Sequence, residues 1–365
     1  MTPSVLISGA GVAGTTAAYF LARSGWRVTV VERAAGVRSS GNPVDVRGPA
    51  LPVARAMGVL PALREHATHA DAMRVVDAAG RTIARLPMQA SPDAVEIPRA
   101  DLAAVLFAAA RDHADFRYDD AVTALEPDET GVGVTFDRAA PQRFDLVVGA
   151  DGLHSAVRRL AFAPEREVVS HLGVWVATLP LGGPSDDPRD VLMYNEPGRM
   201  VSVHPARGNA LAALIFRGAA VPGMDHRDTA AHRRFVAAAY AGAGWRTPQL
   251  LERLETAELY FDAVSRVHLP AWTRGRVTLV GDAASCVSLF GDGSSLAMAG
   301  AHTLATALSG APSDLGAALR RYEAEHRTRT DPKVRHAGRS AALIVPRSRL
   351  ALAARNTAAR LLTRR

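Results

Sequence analysis

The sequence predicts an α/β fold: a Rossmann-like domain built on a parallel sheet, an antiparallel β-sheet domain inserted into it, and helices at the C-terminus. Three observations predict it. The chain opens on an apolar strand, a glycine-rich turn and a helix. Its middle, over residues 168–218, changes to strand-like segments with no helices between them, and after Arg276 the order of strand, glycine turn and helix returns. At 365 residues the chain is long enough for two units with substantial cores, or for one with a large insertion.

Val5-Leu6-Ile7 is an apolar run ending at glycine, residues 12–24 have helical spacing, and residues 28–31 form a second apolar run closed by Glu32. Unbroken apolar strands of this kind belong in a parallel sheet covered on both faces. Pro98-Arg99-Ala100-Asp101-Leu102 opens an alanine-rich helix predicted to reach about residue 112, with Asp101 in the first turn, where a carboxylate suits the helix dipole. Residues 122–126 and 131–136 read as a hairpin, and 144–150 as a core strand. Four strands at 173–178, 190–194, 199–204 and 210–216 make the antiparallel layer. Helices are predicted at 229–240 and 247–259, then from Leu315 with a break near Pro332, and last an amphipathic helix over 349–362. The expected domains are residues 1–165, 166–272, 273–325 and 326–365, with elements of the second near 75–98.

With 48% hydrophobic and 22% charged residues the chain reads as globular and soluble. It has no run of about 18 apolar residues, and its N-terminus enters a strand without a basic leader, so a cytoplasmic protein without stable membrane insertion is expected. Cys286 is the only cysteine, which excludes an intrachain disulfide and argues against a metal site. The net charge of +7 comes largely from C-terminal arginines, among them Arg335, Arg339, Arg347, Arg349 and Arg355, and no aromatic residue follows Tyr322 to stack on bases. A solvated basic face is expected, not a nucleic-acid interface.

Gly9, Gly11 and Gly14 suit a tight strand-to-helix turn in which backbone N–H groups at a helix N-terminus receive a pyrophosphate. Glu32 ends the second strand about 20 residues on, where a carboxylate can accept hydrogen bonds from ribose hydroxyls. The residues therefore point to the adenosine end of FAD or NAD and leave the choice between them open.

Two further motifs, taken with the first, carry a resemblance. Asp145 to Gly152 is followed by Ser155, Val157 and Arg158, and Val277 to Ala284 contains Gly281-Asp282. In this order the three resemble the single-component FAD monooxygenases, the flavoprotein aromatic hydroxylases that include para-hydroxybenzoate hydroxylase and the tetracycline-modifying monooxygenases. The resemblance spans nearly the whole chain. It implies FAD as cofactor, NADPH or NADH as transient reductant, and O2 as co-substrate in hydroxylation of an aromatic or polycyclic small molecule through a peroxyflavin. It further implies cofactor contacts from Gly9, Gly11, Val12, Ala13, Gly14, Glu32, Arg33, Arg99, Asp151, Gly281, Asp282, Gly291, Gly293 and Ser294.

After Asp282 the sequence departs from the family pattern: Ala284-Ser285 and Ser288-Leu289 replace the usual Ala-His and Pro-Pro. The departure keeps a flavin-dependent isomerase or cyclase, or an epoxidase, as alternatives. Halogenation is disfavoured because Trp26, Trp175, Trp245 and Trp272 are isolated and the Trp-x-Trp-x-Ile-Pro motif is absent. Cys286 in that segment is expected to be a buried structural thiol and not a flavin tether. Trp175, Tyr194, Met200, Val203 and Phe216 are expected to wall a substrate pocket, with His204, Tyr194 and Arg47 as catalytic candidates. The sequence leaves open the substrate, the site of oxygenation, the reductant and the oligomeric state.

Overall fold

Strands buried on both faces make the first sheet. In the computed structural model, which describes residues 2–36, 43–68, 70–88, 94–206, 208–286, 292–309 and 314–362, six strands lie in the order Thr273–Arg274, Val277–Leu279, Leu146–Gly149, Ser4–Ser8, Arg27–Glu32 and Asp115–Tyr118. All neighbours are parallel except the two-residue edge strand Thr273–Arg274. Every residue of Ser4–Ser8 and Leu146–Gly149 is buried, which explains their unbroken apolar runs. The helices Val12–Arg23, Arg99–Ala110 and Asp292–Ala307 pack around this sheet, so segments from both ends of the chain share one core.

The second large sheet has seven strands in the order Tyr260–Val267, Val169–Pro180, Leu211–Arg217, Arg199–His204, Asp190–Glu196, Ala72–Val76 and Thr82–Pro87. It is mixed, where the sequence predicts it antiparallel. Asp190–Glu196 pairs in parallel with Ala72–Val76, with Met193 opposite Val75. The physical reason is connectivity: the hairpin of Ala72–Val76 and Thr82–Pro87 is separated from Asp190–Glu196 by a long crossover that includes the helix Arg99–Ala110 and the first-sheet strands Asp115–Tyr118 and Leu146–Gly149, and a long crossover lets two strands run the same way.

Period-two alternation gives this sheet two faces. One carries Trp175, Leu179, Leu214, Phe216 and Phe261 against Val236, Tyr240, Leu250 and Leu254 of the helices Thr229–Tyr240 and Thr247–Leu254. Asp228 caps the first of these helices, accepting from the Ala231 N–H at 2.8 Å. The other face carries Val174, Met193, Met200, Ile215 and Val264 and is closed at one end by Val345.

Two predicted boundaries are corrected. The second helix stops at Leu254, because residues from Tyr260 pair as an edge strand with Val169–Pro180. The helix Leu315–Ile344 runs through Pro332 without the expected break. Tyr322, His326 and Thr330 are buried along its inner side, and ion pairs Glu323–Arg327 and Glu325–Arg329 brace the turn before the proline, offsetting its lost hydrogen bond. The last helix, Arg349–Leu362, lies on the seven-stranded sheet, where Arg355 Nη1 donates to Asn195 Oδ1 at 2.9 Å. Among the described residues no helix is long and apolar enough to cross a membrane.

Candidate functional site

Because the first sheet is parallel, the C-terminal ends of its strands share one edge, and that edge gathers the three motifs. Gly9 follows Ser4–Ser8, Glu32 ends Arg27–Glu32, Asp151 follows Leu146–Gly149, and Gly281 follows Val277–Leu279. A cleft of about 220 Å³ opens there, lined among others by Gly9, Gly11, Glu32, Arg33, Asp151 and His154.

The glycine loop is shaped by two close approaches and one gap. Gly9 has φ +105°, and a Cβ there would lie 2.5 Å from the Ala150 carbonyl oxygen; at Gly14 it would lie 1.9 Å from that of Gly9. At Gly11 nothing lies within 4 Å, so the loop leaves an open cradle at the start of the helix. Gly11 is the N-cap of Val12–Arg23 and offers no side chain to the first-turn N–H groups, to which Val12 and Ala13 belong. The Glu32 carboxylate accepts from the Ala10 and Ala34 N–H groups, each at 2.9 Å, which fixes it beside the loop. A spare cradle, uncapped amides and a fixed carboxylate fit the adenosine diphosphate half of a dinucleotide.

The middle and late motifs are tied by a buried arginine. Arg158 donates from Nη1 to the Ala283 carbonyl at 3.1 Å and from Nη2 to the Leu153 carbonyl. Asp151 accepts from Ser155 Oγ at 2.5 Å and from the Val157 N–H at 3.0 Å; burial outweighs these bonds and raises its pKa. Gly281 packs close to Ala13, bringing the late motif against the glycine-loop helix. Burial raises the pKa of Asp282, opposed by the Arg99 guanidinium. Burial acts to lower the pKa of Arg99, but Tyr260 and Asp282 outweigh it and hold the guanidinium charged.

Tyr260 and its strand neighbour Asp262 come from the seven-stranded sheet, so the two sheets meet at this cluster. Asp262 Oδ1 lies 3.3 Å from His154 Nε2, while Glu165 Oε1 lies 2.9 Å from His154 Nδ1, and His226 stacks on the ring at 4.4 Å between centroids. Burial acts to lower the His154 pKa, but the two carboxylates raise it to about 9, so the imidazole is cationic at neutral pH.

Arg47 lies to one side, in the Val44–Val46 strand's continuation. Its Nη2 pairs with Asp292 Oδ1 at 2.9 Å, its Nη1 with Asp45 at 3.3 Å, and its backbone N–H donates to Ser295 Oγ at 3.0 Å. Lys333 also pairs with Asp292, whose pKa is lowered as these two cations outweigh burial. Arg47 thus clamps the first turn of Asp292–Ala307, which contains Gly293 and the buried Ser294.

Four of the five residues expected to wall the pocket share the helix-covered face of the seven-stranded sheet. Trp175, Tyr194, Val203 and Phe216 lie on the helix-covered side: Trp175 stacks on Phe261 at 5.2 Å and Tyr194 donates to Glu196 at 2.6 Å beside Trp245. Met200 alternates with them and lies on the side shared with Tyr260 and Asp262. Strand aromatics packed under helices serve as core, which is where their large area is best buried. His204 is on the Met200 side, but burial lowers its pKa to about 4, leaving a neutral imidazole that is a weak base. Tyr194 and His204 are therefore not brought together. Cys286 is buried, and Gly291 falls outside the described residues.

Tyr260, Asp262 and His154 were missed by sequence reasoning. The signal for the first two was the alternation of Tyr260-Phe261-Asp262-Ala263-Val264, obscured by extending the preceding helix. His154 stands inside the middle motif, but its carboxylate partners are 11 and 108 residues away.

The sequence matches the family described as FAD binding domain over residues 2–337. It is 41% identical to an uncharacterised protein of Mycobacterium tuberculosis, over 88% of this chain and 89% of the relative. It is 32% identical to a flavin-dependent monooxygenase of Legionella longbeachae, over 90% of this chain and 86% of the relative. The crystal structure of tetracycline destructase Tet(55) superposes with a TM-score of 0.85 at 30% identity, over 98% of this chain and 95% of that one.

Proposed function

The chain belongs to the FAD binding domain family and is a flavin-dependent monooxygenase of that family, and from this premise we propose that it uses NADH or NADPH with O2 to hydroxylate an aromatic or polycyclic small molecule. The observation that carries the proposal is the meeting of Asp282, Arg99 and Tyr260, three residues from distant parts of the chain, where the two sheets adjoin.

In this reading Gly9, Gly11, Val12, Ala13 and Gly14 hold the pyrophosphate, Glu32 and Arg33 the adenosine, and Asp151 and Asp282 the remaining sugar-like part of FAD. Gly293 and Ser294 offer the start of a helix, whose positive end favours negative charge on the cofactor. Bound FAD supplies the chemistry that couples a two-electron reductant and O2 to oxygenation of a carbon atom. The chain's own part is to exclude water and to hold charge in place. Arg99 is a fixed cation in a buried cluster, where it acts more strongly than it would in water. Burial keeps His204 neutral and a weak base, so substrate deprotonation is not assigned to it.

Mixing the flavin-loaded protein with NADH or NADPH without air tests the proposal. Bleaching of the flavin by either reductant, faster with an aromatic ligand present, supports it; a flavin that neither reductant bleaches contradicts it.

A further inference from the structure

The sheet face that meets Arg99 carries polar atoms with no partner. Cross-strand register sets Tyr260 opposite Thr178, Thr178 opposite Ala213, Ala213 opposite Ser202, and Ser202 opposite Met193, one row across five strands. Directly opposed residues point to the same face. Thr178 is 2% exposed, yet its Oγ1 has no hydrogen-bond partner. Two residues beyond Ser202, on the same face, His204 bonds through Nε2 to Ser202 Oγ at 2.9 Å, and its Nδ1 also has no partner. Buried polar atoms are normally paired, so two orphans on one face require an explanation. Thr178 alternates with Ala177 and Leu179, which pack under the helices, so its side chain is on the opposite face of the sheet.

Resting on the monooxygenase reading, we infer that Thr178 and His204 are specificity-determining residues that read two oxygen substituents at opposite ends of a fused-ring substrate. Thr178 and Ser202 are two inter-strand steps apart, about 10 Å, and His204 lies further along its strand, so one ring cannot reach both. Ala213, Ser202 and Leu211 lie between Thr178 and His204, and Ile215 and Met200 in the next row on the other side extend the face as an apolar surface that suits a flat hydrocarbon skeleton. The row itself bears no Arg or Lys, and Arg99, at its Tyr260 end, is engaged by Tyr260 and Asp282, while Arg217 and Arg266 lie further along the same face. A neutral imidazole keeps one donor or acceptor at Nδ1, depending on which role Nε2 takes toward Ser202. The separation of the two polar atoms selects a tricyclic or larger compound over a single ring.

The test titrates the flavin-loaded protein by calorimetry at pH 6 with 2,6-dihydroxyanthraquinone and with unsubstituted anthraquinone, in wild type, Thr178→Val, Thr178→Ser and His204→Phe. Wild type is expected to bind the dihydroxy compound about tenfold more tightly, the effect of one or two net hydrogen bonds. Thr178→Val and His204→Phe are each expected to lose about five- to tenfold for the dihydroxy compound and nothing for the unsubstituted one, while Thr178→Ser retains binding. Thr178→Val removes an unpaired hydroxyl at nearly constant shape, so its melting temperature is expected to hold. Equal losses for both ligands, no loss for either, or no preference in wild type would overturn the inference. Failure of NADH and NADPH to bleach the flavin contradicts the monooxygenase reading instead, and the calorimetric comparison is read independently of it.

Discussion

Arg158 Nη1 donates to the carbonyl of Ala283 at 3.1 Å, joining residues 125 positions apart, and this bond holds the middle motif against the late one. Arg158 is fully buried, and burial lowers its pKa, so the position depends on the carbonyls and on Glu165, 3.9 Å away. Replacing Arg158 by Ala leaves buried carbonyls unpaired and is expected to cost about 3 kcal/mol, seen as a lower melting temperature together with weaker flavin retention. Lysine cannot span two carbonyls as the planar guanidinium does, so Arg158→Lys is expected to rescue neither. A melting curve unchanged in Arg158→Ala would contradict this.

Gly11 and Gly14 separate fold from cofactor. A side chain at Gly11 meets nothing within 4 Å, whereas one at Gly14 would strike the Gly9 carbonyl at 1.9 Å. Gly11→Val is expected to keep the far-ultraviolet circular dichroism of wild type while weakening FAD binding by about tenfold or more, because it fills the cradle at the helix N-terminus. Gly14→Ala is expected to lower soluble yield and melting temperature. Full flavin content in purified Gly11→Val would show that the cradle is not where the cofactor binds.

Acid–base behaviour follows from three histidines. His154, raised by Asp262 and Glu165 to about 9 against 6.5 in the unfolded chain, contributes stability that is fully present below pH 6.5 and lost as pH rises to about 9. That contribution is on the order of 3 kcal/mol, and the modest exposure of the ring makes it an upper figure. His154→Gln should therefore be most destabilised near pH 6, with the gap from wild type closing by about pH 9.5. His204 and His326, both lowered to about 4 by burial, act with the opposite sign: the unfolded chain takes up their protons first, and stability falls from pH 6.5 toward 4. Unfolding by urea at half-unit intervals checks both limbs; a His154→Gln deficit that grows with pH would reverse the assigned sign.

The last helix supports the seven-stranded sheet. Besides the Arg355–Asn195 bond, Arg360 Nε donates to the Ile83 carbonyl at 3.3 Å. Truncation after Arg347 is expected to leave the visible flavin spectrum unchanged but to lower the melting temperature, since it uncovers strands that do not line the glycine loop. Loss of flavin on truncation would make the tail part of the cofactor site.

Legibility in the sequence followed the range of the interactions. The strand at Ser4–Ser8, the glycine loop and Glu32 are local features, and each was read from neighbouring residues. The face occupied by Trp175 and Phe216 was not, because alternation says which residues share a face but not whether helices or a second sheet cover it. Tyr260 was hidden because its strand exists only through pairing with Val169–Pro180, and Pro332 misled because packing of Tyr322 and His326 overrides its local preference. His154 carried no signal of its pairing, since Asp262 is 108 residues distant.

The most direct measurement supplies the flavin-loaded protein with NADPH or NADH, a panel of fused-ring phenols and 18O2, and weighs the products. The account predicts ligand-stimulated oxidation of one reductant and one 18O atom added to the product. Turnover of a ligand to a product of unchanged mass, without consumption of reductant, would contradict it and assign the chain to a non-oxidative reaction.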